Sequence, residues 1–168
     1  MATAVDLEFA DVNTAPVLAV QLHSHCAAGP AALGPAIRAA FGPLMNFISR
    51  HRLTPTGPPR VIYTNMGGDG ISFILAMPVA AGLAEPVDDP SIRVETIEAT
   101  RALRFRHQGP YENLRHTYSQ ITEFMKEKGW MKSPADWSRF MPMWEEYAND
   151  PEHTPPADLV TFIYLPVV

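Results

Sequence analysis

The chain has 168 residues, enough for one domain of ordinary size or two small fused modules. Hydrophobic residues make up 46% of it and charged residues 18%, which excludes a disordered chain and predicts a folded core. Its formal net charge is −5 with no lysine- or arginine-rich run, which argues against nucleic acid as a direct partner, because phosphate binding needs clustered cations. Cys26 is the only cysteine, so no internal disulfide forms and a reducing compartment is natural. The first residues show no cationic segment leading into an apolar one, and no apolar run is long enough to cross a bilayer. A cytoplasmic protein with no membrane partner is expected.

In chain order, a short strand is predicted over Asp6 to Val12 and a turn at Asn13 to Pro16. Val17 to His25 alternates, with Leu18, Val20 and Leu22 on one face, and reads as a second strand. A loop over Cys26 to Gly29 leads into a helix starting near Pro30 or Pro35, with Ile37, Phe41, Leu44 and Ile48 at helical spacing. Gly42-Pro43 lies inside that stripe and predicts a kink. Arg60 to Asn65 and Ile71 to Val79 read as a hairpin around the glycine-rich turn Met66 to Gly70. Residues 81–90, with Gly82, Pro86 and Pro90, form a linker. Strands are then expected over Ile92 to Ile97 and Arg101 to His107, followed by a helix opened by Gly109-Pro110. Its apolar stripe is Leu114, Tyr118, Ile121 and Met125, and Gly129 caps its end. A long aromatic connection, Trp130 to Pro142, precedes the last two strands, Met143 to Ala148 and Asp158 to Pro166.

The two halves look alike. Gly29-Pro30 and Gly109-Pro110 each open a helix, Val61 to Asn65 resembles Glu145 to Asn149, and Phe73 to Val79 resembles Phe162 to Val167. Three matches in the same order suggest two strand-helix-strand-strand pseudo-repeats, about 1–80 and 91–168, packed into one α+β domain spanning 1–168. Tyr63 then mirrors Tyr147, Val61 mirrors Glu145, and His25 mirrors His107.

Met143 to Asp150 holds the leading site candidate. On a strand Glu145 and Tyr147 share one face, with Trp144 and Glu146 on the other. A carboxylate beside a phenol inside a sheet needs a partner, and a ligand in a cleft between the halves could be that partner. Tyr63, Val61 and Tyr111 complete the candidate binding set. His23 and His25 share a strand face and could bind a metal with Cys26, but no second ligand cluster has metal-site spacing. No nucleotide-binding motif is present and no histidine is placed by motif in the groove, so no metal and no cofactor, haem included, is expected.

His107 to Glu112, then Leu114 and Tyr118, Glu145 to Pro151 and Thr161 to Val167 together resemble the GyrI-like small-molecule-binding family, which includes effector-binding domains of multidrug-responsive transcription regulators. The resemblance implies a duplicated SHS2-like module with a central ligand groove. It implies that Glu145 is the acid facing a cationic or aromatic ligand, with Tyr111 and Tyr147 as motif aromatics. Three functions follow as alternatives. The first is a stand-alone small-molecule binder that senses or sequesters a drug-like compound. The second is a hydrolase of cyclopropane-bearing genotoxins, with Glu145 catalytic and Tyr147 or Tyr111 assisting. The third is an inhibitor of a larger protein partner such as DNA gyrase.

Overall fold

A computed structural model describes residues 7–27 and 30–167. Asp6, Gly29 and Val168 lie outside the described residues, so the expectations that fall on them are not taken further. The first half contains strands β1 (Phe9–Asn13) and β2 (Val17–Cys26), helix α1 (Leu33–Arg50), and strands β3 (Arg60–Gly67) and β4 (Gly70–Pro78). The second contains β5 (Ile92–Ile97), β6 (Arg101–Gln108), helix α2 (Leu114–Glu127), β7 (Met143–Tyr147) and β8 (Val160–Pro166). Each α-helix is preceded by a short 3-10 turn, and α1 continues through Pro43 without a break.

All eight strands form one antiparallel sheet in the order β1-β6-β8-β7-β3-β4-β2-β5. Exchanging each strand with its counterpart four places along the chain returns the same order read backwards. The unit related this way is strand-strand-helix-strand-strand, one strand longer than expected from sequence. The extra strands are traded: β1 pairs with β6 of the second half, and β5 pairs with β2 of the first.

The pairing also corrects the alignment of the halves. Tyr63 pairs with Phe73, and Tyr147 pairs with Thr161, so the counterpart of Phe73 is Thr161 and not Phe162. Phe73 packs in the main core, whereas Phe162 packs on the opposite face. The same one-residue slip separates the histidines: His25 is exposed and His107 is buried. A shift of one residue moves a side chain to the other face of a sheet, and similar residue types cannot reveal that.

Helices α1 and α2 cover one face of the sheet. Leu44, Phe47 and Ile48 from α1, and Ile121 and Met125 from α2, pack with Phe73, Leu75, Phe105, Ile163 and Leu165 of the strands. The other face carries a smaller cluster. There Trp144 stacks on Tyr164 with ring centroids 4.7 Å apart, and the Arg60 guanidinium lies 5.7 Å from the Trp144 ring. No helix among the described residues is long and apolar enough to cross a membrane.

Candidate functional site

One row of cross-strand neighbours spans the whole sheet on its helix-covered face. It runs Phe9, Phe105, Ile163, Glu145, Val61, Leu75, Leu22, Ile92. Seven of these positions are apolar and the eighth is a carboxylate, only 5% exposed. Nothing about strand formation asks for an acid there, since its neighbours are β-branched, aliphatic and aromatic.

Three phenols hold the carboxylate. Tyr118 of α2 donates to Glu145 Oε1 at 2.6 Å, and Tyr63 of β3 donates to the same oxygen at 3.2 Å. Tyr147 donates to Oε2 at 2.8 Å. The register explains this convergence. Val61 opposes Glu145 on the neighbouring strand, so Tyr63 lies beyond it towards Met143 while Tyr147 lies towards the other end of β7. Tyr118 comes down from the helix above. Burial and the charge of Glu145 push all three phenols well above their ordinary pKa, so they remain protonated donors.

Burial raises the pKa of Glu145 itself, opposed by hydrogen bonds from Tyr118, Tyr147 and Tyr63 and by the more distant His107. Among the described residues no lysine or arginine pairs with it. The site is therefore a carboxylate with hydrogen-bond donors but no protein cation in contact. A buried carboxylate of this kind is sustained by its hydrogen-bond donors or takes up a proton.

Around this centre stand further aromatic rings. Tyr111 packs edge-on against Tyr147 with centroids 5.4 Å apart and does not itself bond the acid. Val61 is fully buried and forms the apolar floor beside Glu145. Trp137 lies against Tyr118 at 5.8 Å. It sits on a 3-10 helix, Pro134–Phe140, inside the long connection between α2 and β7. Two surface clefts lie elsewhere, one between β6 and α2 beside His107 and Thr117, the other between β2 and α1 beside His23 and Ala36.

Glu145, Tyr147 and Tyr63 thus come together, Val61 adjoins them, and Tyr111 stands behind Tyr147. Tyr118 and Trp137 join the set here: the sequence places Tyr118 on the apolar stripe and in the family resemblance, and Trp137 in the long connection, as either a lid over the groove or an anchor of the loop. The signal for Tyr118 as a site residue is that a tyrosine on the core-facing side of a helix needs a partner for its hydroxyl. Trp144 and Glu146 point to the opposite face, as the alternation of β7 requires. Glu146 lies 3.7 Å from Arg60 there. His23 and His25 do not converge on a metal-type site: both are exposed, and the His25 ring contacts the Ser72 hydroxyl and the Asp69 carbonyl at 2.9 Å each. Asp150, Glu152 and His153 cluster in the exposed turn after β7, where Asp150 bonds the Glu152 N–H and the His153 ring.

These features define an α+β domain with a buried acid held by phenols. Residues 24–168 match the model of the GyrI-like small molecule binding domain, and the chain belongs to that family. It is similar to the EcmrR C-terminal domain, with a TM-score of 0.76 at 15% identity, covering 98% of this chain and 99% of that one. It is also similar to SAV2435 bound to tetraphenylphosphonium, with a TM-score of 0.63 at 13% identity over 98% of this chain and 94% of that one. A hydrolase from Listeria innocua gives a TM-score of 0.58 at 13% identity, covering 96% and 92% of the two chains. At these identities the likeness is one of fold. No curated protein matches the chain.

Proposed function

We propose that this chain binds an amphipathic organic cation at Glu145 and senses or sequesters it. The observation that carries this reading is a carboxylate inside the core with three phenol donors and, among the described residues, no lysine or arginine paired to it. In a low-dielectric, aromatic surround a lipophilic cation gains Coulomb attraction from the acid and cation–π contact from the rings. Tyr63, Tyr118 and Tyr147 orient the carboxylate, Val61 supplies apolar floor, and Tyr111 and Trp137 supply outer aromatic wall. The cation held by SAV2435, a similar fold, supports the same ligand class.

Calorimetry with tetraphenylphosphonium and a neutral tetraphenyl isostere tests this. Wild type is expected to prefer the cation, and Glu145→Gln to lose most of that preference. Equal affinity for the two compounds in the wild type would sink the proposal.

A second reading uses the same acid for hydrolysis. The upward shift of the Glu145 pKa favours a protonated carboxyl, the form a general acid requires. One protein of similar fold is a hydrolase. Turnover of an electrophilic cyclopropane compound, lost in Glu145→Gln with the fold intact, would establish it; no product above the uncatalysed background would end it.

A further inference from the structure

We infer that the Thr161 hydroxyl is a second polar anchor of the ligand site, selecting cations that carry a hydrogen-bonding group about one aromatic ring away from the charge. This rests on the reading of Glu145 as the ligand's acid.

Thr161 lies on β8 and is fully buried, and its Oγ1 has no partner. The register places it between His107 of β6 and Tyr147 of β7, on the face that carries Glu145. Neither neighbour serves it. The His107 Nε2 donates to the Pro110 carbonyl at 3.2 Å, and its Nδ1 lies 2.6 Å from the Thr117 hydroxyl. The Tyr147 hydroxyl donates to Glu145, as do those of Tyr63 and Tyr118. Thr161 is thus the polar group on this wall whose hydrogen bonds remain unused.

A buried hydroxyl left unsatisfied is unfavourable, and native proteins rarely keep one without a use. Valine has nearly the same shape and would fill the space without that cost. The other core-facing residues of β8, Ile163 and Leu165, are aliphatic and fully buried. The hydroxyl therefore contributes nothing that packing or strand pairing needs. Glu145 opposes Ile163, which makes Thr161 its diagonal neighbour across the ladder, roughly 7–8 Å away by sheet geometry. A cation held at Glu145 would extend one ring's length to reach it.

The test compares tetraphenylphosphonium with the three isomers of hydroxyphenyl-triphenylphosphonium, measured by calorimetry on wild type, Thr161→Val and Thr161→Ser. At least one isomer is expected to bind wild type about tenfold more tightly than the parent cation, the scale of one well-placed hydrogen bond. Thr161→Val should erase that gain and leave the parent's affinity unchanged; Thr161→Ser should retain it. The empty Thr161→Val protein should melt at the same or a higher temperature. If no isomer gains in wild type, if the gain survives in Thr161→Val, or if that variant melts lower, the inference is wrong. If wild type binds none of the four cations, the ligand reading of Glu145 fails first and this inference falls with it.

Discussion

Glu145 makes the chemistry of the site depend on pH, and the direction follows from its surroundings. Its folded-state pKa is raised by burial. Between the ordinary carboxylate pKa and this raised value the folded protein binds more protons than the unfolded chain, so stability falls as pH rises through that window. Urea denaturation across the acidic-to-neutral range should show that decline in wild type and a flatter profile in Glu145→Gln; parallel profiles would mean the acid is not desolvated. Ligand binding runs the other way. A cation favours the ionised carboxylate, so binding should release a proton below the empty-site pKa, and affinity should rise with pH until that pKa is passed. Calorimetry in buffers of different ionisation enthalpy measures the proton release. At a pH above the window Glu145→Gln should weaken cation binding by ~1–3 kcal/mol, the worth of a charge-assisted contact. Glu146→Gln, on the other face beside Arg60, should change it little. That Glu145 and Tyr147 share a face follows from strand alternation within β7, and Tyr63 follows from its place as the mirror of Tyr147 in the pseudo-repeat. Periodicity puts Tyr118 on the core-facing stripe but does not name its partner, which depends on how α2 lies over the sheet.

At the scale of elements, the connection between α2 and β7, which the sequence marks as long and aromatic, contains a two-turn 3-10 helix. Ser133 and Asp136 form a capping box at its start, and Pro134 occupies its first position. Ser-Pro-x-Asp is a helix-start pattern legible in the sequence. The cap fixes the segment that carries Trp137 against Tyr118, the helix-borne donor to Glu145. Trp137→Ala should speed both association and release of a cationic dye in stopped-flow fluorescence, with the larger change in release; unchanged rates would show that Trp137 is merely packing. The hairpin turn between β3 and β4 supplies a stability contrast. Gly70 has a φ of 114°, and a Cβ there would meet the Cys26 carbonyl oxygen and the Ala27 backbone. Gly70→Ala should cost about 1–3 kcal/mol in urea melts, whereas Gly68, with open space around it, should tolerate alanine.

At the scale of the whole molecule, eight strands and two helices could be found from periodicity, because alternation and the 3.6-residue stripe are local signals. The partnership of β1 with β6 and of β5 with β2 could not, because edge strands of five and six residues carry no address for their partner. That trade of strands makes each half a clasp for the other. Severing the chain within 81–90 leaves two pieces that three ladders still join: β1 with β6, β2 with β5, and β3 with β7. Apart, each piece would expose raw sheet edges along all its severed ladders, and circular dichroism should find neither folded. Mixed, they should recover the β signal; a piece that folds fully by itself would refute this. Glu145, Tyr118 and Tyr147 travel with one piece and Tyr63 and Val61 with the other, so the complete cage exists only in the reassembled pair. Uptake of a fluorescent cation would then count reunited halves, making the cut chain a reporter of proximity between any two proteins fused to its ends.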